Sequence, residues 1–354
     1  MRNLFKDQTV LITGHTGFKG SWLSIMLKNL GANIVGLSND ALTTPSHYDH
    51  IKNIFSYDLR ANIEEKNTFK SAIQRYNPRF IFHLAAQAIV STSYKDPFQT
   101  FSSNTIGTLN LLEALRVSEF PCTVVLITSD KSYKNLEINR GYHEGDIIGG
   151  IDPYSGSKGA AELIINSYAE SFFSSSERVR LGVARAGNVI GGGDWSDDRL
   201  IPDAIRAWRS NQTLPIRNPK STRPWQHVLD PLNGYITLAE HLHEKLIPNN
   251  SVFNFGPSIN ESAKVEDLAQ YLQEYLKDFS WKKETEEDFF ESKLLSLDSK
   301  KAKKVLNWQT VLTLNEVIEW TSAWYMNFYS HSGIKISDFS HLQINQYLEK
   351  LKND

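Results

Sequence analysis

A glycine-rich turn near the start of the chain constrains the fold more than any other feature. Gly14, Gly17 and Gly20, spaced GxxGxxG, follow residues 9–13 (TVLIT), a β-branched run typical of a buried parallel strand. The amphipathic stretch at 21–30 then predicts a helix. Glycine permits a tight turn and close backbone approach to a pyrophosphate, which the helix N-terminus favours through its free N–H groups and dipole. We therefore expect a dinucleotide to bind at this turn.

The turn opens a longer alternation of predicted strands and helices. Further strands are predicted at 33–37, 80–84, 123–128 and 179–184, and further helices at 105–117 and 154–173. This alternation predicts an α/β fold, in which a Rossmann-type doubly wound parallel sheet is covered by helices on both faces.

The composition of the sequence changes after residue 187, where tryptophan, proline and arginine become frequent. The alternation of predicted strands and helices also becomes less regular there. We expect a dinucleotide-binding domain at 1–187, with segments near 225–256 returning to it. A smaller mixed α/β substrate domain is expected at 188–330. Residues 331–354 are expected to form a C-terminal extension with one short helix.

Composition narrows the possible functions. The 354 residues carry a formal net charge of −2, so nothing in the charge favours a nucleic-acid or membrane partner. Cys122 is the single cysteine, which excludes an intrachain disulfide, and we expect it to pack near the core of a cytoplasmic protein. The ten histidines are scattered without metal-ligand spacing, so no metal is expected.

An acidic residue follows the second predicted strand at the distance typical of a ribose contact. Asp40 lies 20 residues after Gly20, where a carboxylate accepts hydrogen bonds from ribose hydroxyls and repels a 2′-phosphate. No arginine or lysine occurs between Lys28 and Lys52, which favours NAD over NADP. Asn39 is a close competitor for this role, and a solvated loop acid is the alternative interpretation of Asp40.

The other predicted cofactor contacts are weaker. Asp58 is placed to bond the adenine amino group or is a plain surface acid. The small residues of 83–87 (HLAAQ) let the backbone pass close to a flat cofactor, although tight core packing needs the same residues. The full predicted set comprises Gly14, Thr16, Gly17, Phe18, Lys19, Gly20, Asp40, Asp58, Leu59, Leu84, Ala85, Ala86, Gln87, Asn104, Tyr154 and Lys158.

A tyrosine and a lysine four residues apart open the predicted helix at 154–173. Tyr154 and Lys158 project from one face of that helix, and the cation favours the phenolate form. Such a tyrosine removes the proton of a substrate hydroxyl while hydride leaves the carbon that carries this hydroxyl. The lysine also holds the nicotinamide ribose. Ser129 ends the strand at 123–128, where open α/β sheets place ligands; it orients the substrate hydroxyl or simply caps the strand.

Six motifs together carry a family resemblance. They are TGHTGFKGSW, HLAAQ, ITSDKSY, DPYSGSKGAAE, RAGNVIGGGDW and RPWQHVLDPL. In this order they resemble the CDP-glucose 4,6-dehydratases, extended short-chain dehydrogenases related to the dTDP-glucose and GDP-mannose 4,6-dehydratases. The resemblance runs over residues 9–325. Many sugar-nucleotide dehydratases have Thr-Asp-Glu where this chain has Ser129-Asp130-Lys131, and the CDP-glucose enzymes are similar to this chain in having lysine. Ser132 stands where family members often have cysteine.

The resemblance implies NAD-dependent conversion of CDP-D-glucose to CDP-4-dehydro-6-deoxy-D-glucose and water. C4 is oxidised with Tyr154 as base, water is eliminated across C5 and C6, and C6 is then reduced. Asp130 is the candidate acid for the C6 hydroxyl and Lys131 the candidate base at C5. The division of roles between them stays open, and a surface position for Lys131 is the alternative.

The substrate contacts are also implied by the resemblance. Arg223 and Asn254 match diphosphate contacts, and Asn188 matches a sugar or phosphate contact. Arg199 and Arg217 also fall in the expected substrate domain, where arginine's planar fork suits diphosphate oxygens. Gln87 completes the predicted substrate set. Each of the residues at 188–254 is alternatively a structural salt bridge or turn residue.

Three competing interpretations remain open at this point. A nucleotide-sugar 4-epimerase needs Tyr154 and NAD but no elimination pair, so Asp130 and Lys131 argue against it. A 4,6-dehydratase for another nucleotide-linked hexose and a non-catalytic NAD-sensing protein are the other two. The resemblance also implies a homodimer or dimer of dimers that pairs through the helices at 105–117 and 154–173.

Overall fold

Thirteen strands and twelve α-helices make up the described part of the computed structural model, which covers residues 2–138, 140–258, 262–284, 295–330 and 333–353. The strands are β1 Thr9–Thr13, β2 Asn33–Ser38, β3 Tyr57–Arg60, β4 Phe80–His83, β5 Cys122–Ile127, β6 Val179–Ala186, β7 Val189–Ile190, β8 Leu214–Ile216, β9 Thr222–Arg223, β10 Gln226–His227, β11 Ser251–Phe255, β12 Ala263–Lys264 and β13 Trp281–Lys283. The helices are α1 Phe18–Asn29, α2 Thr68–Tyr76, α3 Val90–Lys95, α4 Pro97–Phe101, α5 Gly107–Arg116, α6 Pro153–Tyr168, α7 Leu200–Arg209, α8 Leu229–His243, α9 Val265–Tyr275, α10 Lys300–Leu306, α11 Leu314–Tyr329 and α12 Ile336–Asn353.

Seven parallel strands form the central sheet in the order β11-β6-β5-β4-β1-β2-β3. The chain leaves the sheet centre in both directions, so the strand order reverses between β1 and β4. Ligands of such sheets bind at the carboxyl ends of the strands beside this reversal. The predicted Rossmann-type sheet is confirmed. The strand β3 and the helix α2 were not predicted, because β3 is short and polar.

The apolar runs of the strands divide between the two faces of the sheet. Leu11, Val35 and Ile81 belong to one core cluster, whereas Val10 and Ile12 belong to the other. Successive side chains of a strand point to opposite faces, and helices cover both. This is why the strands have continuous apolar runs rather than alternating ones.

Part of the second half of the chain returns to the sheet, as predicted for segments near 225–256. β11 pairs in parallel with β6, with Asn254 opposite Arg185. The helix α8 packs against β5 and β6. The short strands β7 to β10, with β12 and β13, form three two-stranded sheets outside the main sheet. One apolar cluster runs from α1 through α8 to α12, so the division at residue 187 stays a prediction.

The C-terminal helix α12 is 18 residues long and packs into the main core. Ile344 and Tyr347 are fully buried, and the Tyr347 hydroxyl lies 3.1 Å from an oxygen of Asp230. Ser340 accepts a hydrogen bond of 3.0 Å from the indole nitrogen of Trp324. The expectation of a short helix in an appendage is therefore wrong, because an aromatic core seats this segment. Across the described ranges, no helix combines the length and apolarity needed to cross a membrane.

The seating of α12 generates a stability prediction. Replacing Tyr347 by alanine is expected to lower the free energy of unfolding by about 3–5 kcal/mol, because a large buried ring is lost. The exposed neighbour Gln346, replaced by alanine, is expected to change it by less than about 0.5 kcal/mol. Denaturant unfolding measures both. Equal stability of the two variants would mean that α12 is not part of the cooperative core.

Candidate active site

A cleft of about 830 Å³ lies at the carboxyl edge of the sheet. It extends from the glycine turn, past the ends of β4, β5 and α6, to the segments between β6 and β10. Twenty of the predicted site residues line this one cleft: Gly14, Thr16, Gly17, Phe18, Lys19, Gly20, Asp40, Leu84, Ala85, Ala86, Gln87, Ser129, Asp130, Lys131, Tyr154, Lys158, Asn188, Arg199, Arg217 and Arg223. Asp58, Leu59, Asn104 and Asn254 lie outside its lining.

The glycine turn has a backbone that leaves no room for side chains. A Cβ on Gly20 would lie 2.1 Å from the carbonyl oxygen of Gly14, and one on Gly14 would lie 2.8 Å from the backbone nitrogen of Ala85. Gly14 also has a φ of +72°. Gly17 caps α1 without any side-chain hydrogen bond, so the helix N-terminus faces the cleft with its N–H groups uncapped. This cradle fits the pyrophosphate of a dinucleotide.

The ribose end of the cleft differs from the prediction. Asp40 lines the cleft with a side chain that is 92% exposed, and the Arg60 side chain lies 3.0 Å from its carboxylate. The lack of arginine and lysine between Lys28 and Lys52 therefore does not keep a cation away from Asp40. Strand pairing brings Arg60 there, since Ser38 and Arg60 are opposite each other in β2 and β3. Arg60 lies 20 positions after Asp40 in the sequence, and it was not assigned to the site because β3 was not predicted.

The expected adenine contact of Asp58 stays a prediction, and the structure gives this carboxylate protein partners. One carboxylate oxygen of Asp58 lies 2.8 Å from both His15 and Arg60, and the other accepts a hydrogen bond from Tyr48. With both oxygens engaged, Asp58 fixes the turn residue His15 rather than facing the cleft. Leu59 follows it in β3, away from the lining.

Asn104 supports the cleft from behind rather than contacting a cofactor. Its side chain is buried and forms two hydrogen bonds with the backbone of Gln87, of 2.8 and 3.0 Å. It also bonds the hydroxyl of Ser157 at 2.9 Å. The predicted direct contact of Asn104 with the cofactor stays a prediction. Gln87 itself lines the cleft, while its side-chain amide donates to Ile89 and Thr100.

The tyrosine–lysine pair is held by a well-capped helix. Asp152 accepts hydrogen bonds from the backbone of Tyr154 and Ser155 in a capping box at the start of α6. Tyr154 and Lys158 are both buried in the wall of the cleft. Burial lowers the pKa of Lys158 to about 8, against the opposing effect of Glu162. The amine therefore exchanges protons near neutral pH.

The predicted elimination pair lies in the turn after β5. The Ser129 hydroxyl accepts a hydrogen bond of 3.2 Å from the Lys131 backbone and donates one of 3.0 Å to Asp130. The Lys131 ammonium lies 3.6 Å from the same Asp130 oxygen. The second oxygen of Asp130 is buried and, within the described ranges, has no hydrogen-bond partner. A carboxylate with one oxygen anchored and one unengaged is suited to donate or accept a proton.

Lys19 adds a further amine to the cleft. Burial, together with the positive charges of Arg199 and Lys158, lowers its pKa to about 7 against the opposing effect of Asp130. The sequence placed Lys19 among the cofactor contacts and did not predict an unusual protonation state. That state depends on charges from α6, the β5 turn and the start of α7, which only the fold brings together.

The substrate side of the cleft contains the four remaining predicted residues of the second half. Asn188, Arg199, Arg217 and Arg223 all line it, and Arg199 is held by a 2.8 Å ion pair with Asp194. Three arginines on one wall suit a diphosphate.

Asn254, by contrast, is fully buried behind the cleft wall. Its side chain accepts a hydrogen bond of 2.8 Å from Tyr133 and donates one of 2.7 Å to the Tyr142 carbonyl. The predicted diphosphate contact of Asn254 stays a prediction, and in the structure its polar atoms bond protein partners. In the described part of the chain, no cluster of three or more His, Cys, Asp or Glu residues is arranged to hold a metal.

Comparison with known proteins places this arrangement in a family. The profile of the GDP-mannose 4,6 dehydratase family matches residues 11–321. The chain belongs to this family. CDP-glucose 4,6-dehydratase of Salmonella typhimurium is 41% identical over 333 residues, which cover 91% of this chain and 93% of that protein. The resemblance drawn from the six motifs is thereby confirmed.

More distant proteins are also similar to this chain, and the two solved structures among them share its fold. CDP-paratose 2-epimerase of Salmonella typhi is 28% identical, over 75% of this chain and 84% of its own length. UDP-glucose 4-epimerase of Thermotoga maritima superposes with a TM-score of 0.78 at 22% identity, over 91% of this chain and all of that one. The Brucella ovis UDP-glucose 4-epimerase, solved with NAD, has a TM-score of 0.78 at 22% identity, over 90% of this chain and 98% of that one.

The two perturbed amines give a titration prediction. In competitive acetylation followed by mass spectrometry, Lys19 is expected to reach half-maximal reactivity near pH 7 and Lys158 near pH 8, because only the neutral amine reacts. The folded state therefore binds fewer protons than the unfolded chain, whose lysines titrate near about 10.4. These two groups make stability rise with pH between those values. The exposed Lys95 supplies the reference reaction, and profiles identical to that of Lys95 would contradict the prediction.

Proposed function

We propose that the protein is an NAD-dependent hydro-lyase that converts CDP-D-glucose to CDP-4-dehydro-6-deoxy-D-glucose and water. The observation that carries the proposal is that Tyr154, Lys158, Asp130 and Lys131 line one cleft beside the glycine turn. The 41% identical relative named CDP-glucose 4,6-dehydratase supports the same reaction. The turn of Gly14, Gly17 and Gly20 would hold NAD, which would supply the hydride acceptor for C4 and the hydride donor for C6.

The chain's own groups begin the reaction at C4. Tyr154 removes the C4 hydroxyl proton, and the Lys158 ammonium beside it stabilises the phenolate. Ser129 orients the same hydroxyl from the end of β5. Oxidation turns C4 into a ketone, which acidifies the neighbouring C5–H bond and prepares the elimination.

Asp130 and Lys131 then act on C5 and C6. Lys131 takes the C5 proton, and Asp130 gives a proton to the C6 hydroxyl, which leaves as water. A proton returns to C5 when C6 is reduced. The sum is the loss of one water, with no net change in the oxidation state of the cofactor. The assignment of acid and base within the pair is part of the proposal.

The alternative is a 4-epimerase or a dehydratase for another nucleotide. A 4-epimerase uses the tyrosine–lysine pair alone, so the buried Asp130 oxygen next to Lys131 favours dehydration. Arg199, Arg217 and Arg223 supply positive charge for the diphosphate whatever the base is. These arginines therefore do not distinguish CDP from another nucleoside diphosphate, and a comparison of substrates decides the nucleotide.

We further propose a homodimer. Large apolar side chains are exposed along α4 and α6, among them Phe98, Phe101 and Leu163, the last with 64% of its surface exposed. Phe172, in the π-helical segment Ala169–Phe173 that continues α6, extends this apolar face. A second copy of the chain, packed helix to helix, would bury it.

We also propose a cytoplasmic location, which the single, buried Cys122 supports.

A comparison of substrates tests the reaction. Purified protein with NAD is incubated separately with CDP-, dTDP-, UDP- and GDP-glucose, and the 4-keto product is read by its absorbance in alkali. CDP-glucose is expected to be converted fastest, and Tyr154→Phe is expected to lower that rate at least 100-fold, in line with loss of a general base. Conversion to a CDP-hexose epimer without water loss, or preference for another nucleotide, would refute the proposal.

The dimer has its own test. Leu163→Glu is expected to shift the protein to monomer in sedimentation velocity, because a charge would be buried at the centre of the helix face. Leu246→Glu, at an exposed leucine after α8, is the matched control and is expected to leave the dimer intact. A wild-type protein that sediments as a monomer would contradict the proposal.

A further inference from the structure

The buried carboxylate of Glu162 connects the turn at residues 129–131 with the helix that carries Tyr154 and Lys158. Glu162 has 6% of its surface exposed and Arg185 has 3%, and the two form an ion pair through two contacts. Neither residue lines the cleft. We infer that Glu162 is a positioning residue, which sets the elimination turn at residues 129–131 relative to the Tyr154–Lys158 pair. This inference rests on the proposed dehydration.

Glu162 accepts hydrogen bonds from residues on both sides of this turn. The Thr128 hydroxyl donates a 2.6 Å hydrogen bond to Glu162 Oε1, immediately before the turn. The Ser132 hydroxyl lies 2.9 Å from the same oxygen, immediately after the turn, and 2.6 Å from the Ser129 carbonyl. Side chains on either side of Asp130 and Lys131 thus bond one carboxylate oxygen.

The same residue belongs to the helix that carries the oxidation pair. Glu162 follows Lys158 by four residues and Tyr154 by eight, so all three project from one face of α6. Its negative charge acts on Lys158, whose pKa it raises against burial. A single side chain therefore contacts the elimination turn and lies in register with the oxidation pair.

Arg185 holds Glu162 from the sheet. Its Nε donates a 2.8 Å hydrogen bond to Oε1, its Nη2 donates to Oε2, and its Nη1 donates a 2.6 Å bond to the Tyr133 hydroxyl. Tyr133 in turn donates to Asn254 on β11. This chain of bonds gives Asn254 a role in supporting the turn from the neighbouring strand.

The energetic cost of this arrangement favours a role in geometry. Desolvating two charges generally costs as much as their attraction returns, so an apolar pair of the same volume would serve stability as well or better. What an apolar pair lacks is an acceptor for Thr128 and Ser132. Displacements of about 1 Å of a reacting group are enough to lower a rate about 100-fold. Such a shift would act on Asp130 and Lys131 and leave Tyr154 anchored in α6.

The decisive variant is Glu162→Gln, which preserves volume but replaces one oxygen with an amide that cannot accept from Arg185. We expect kcat for 4-keto product formation to fall at least 10-fold, while KM changes less than 3-fold. In a single turnover with CDP-glucose, absorbance at 340 nm is expected to rise more slowly than in the wild type, because Ser129 belongs to the turn and the Glu162 charge acts on Lys158. The absorbance is then expected to persist, because elimination is slowed more than C4 oxidation. Lys131→Met, which removes a member of the elimination pair directly, is expected to give the same pattern.

Two further variants make the test independent of folding. Glu177→Gln removes an exposed carboxylate paired with Lys245 and is the matched control, expected to match the wild type. Thr128→Val removes one hydrogen bond to Glu162 and keeps the ion pair, so it carries the test if Glu162→Gln fails to fold. It is expected to show the same stalled intermediate to a smaller degree.

The outcomes separate the two proposals. Equal slowing of the 340 nm rise and of product formation, or wild-type kinetics with only a lower melting temperature, would overturn the positioning role. So would a crystal structure of the folded variant with residues 129–131 unmoved relative to α6. If wild-type protein forms no 4-keto product from CDP-glucose, the proposed function fails, and the structural comparison still decides the positioning role.

Discussion

The close approach of the Gly14 backbone to Ala85 is the contact on which the cleft depends. It joins the ends of β1 and β4, the two strands between which the sheet reverses its order. No side chain fits between them, so the first turn lies flat against the sheet edge and α1 points its N-terminus into the cleft. Everything that a dinucleotide needs at its pyrophosphate follows from this one approach.

The cleft concentrates charge where water is scarce. Lys19, Lys158 and Arg199 stand near Asp130, and the pair of Glu162 and Arg185 lies directly behind them. Such a set costs stability, since each charge loses solvation. The apolar cluster that seats α8, α11 and α12 offsets that cost. The aromatic core thus supplies the stability that the desolvated charges of the site cost.

Much of the fold and most of the site were predictable from sequence. The parallel strands have apolar runs, the glycines mark the first turn, and twenty predicted residues line one cleft. The differences share a physical cause. Asp58, Asn104 and Asn254 were predicted to contact ligands, whereas in the structure their side chains bond protein partners and lie outside the cleft lining. A motif gives a residue's identity without giving its partners.

The sequence by itself determined the sheet, the turn and the two catalytic motifs, because these depend on local patterns of glycine, apolar residues and helical spacing. Only the tertiary structure decided which charges meet. It brought Arg60 to Asp40 through strand pairing, gave Lys19 its low pKa, and joined Glu162 to both ends of the β5 turn. These contacts join residues 20 to 180 positions apart in groups of two or three, and no periodicity in the chain encodes such distances.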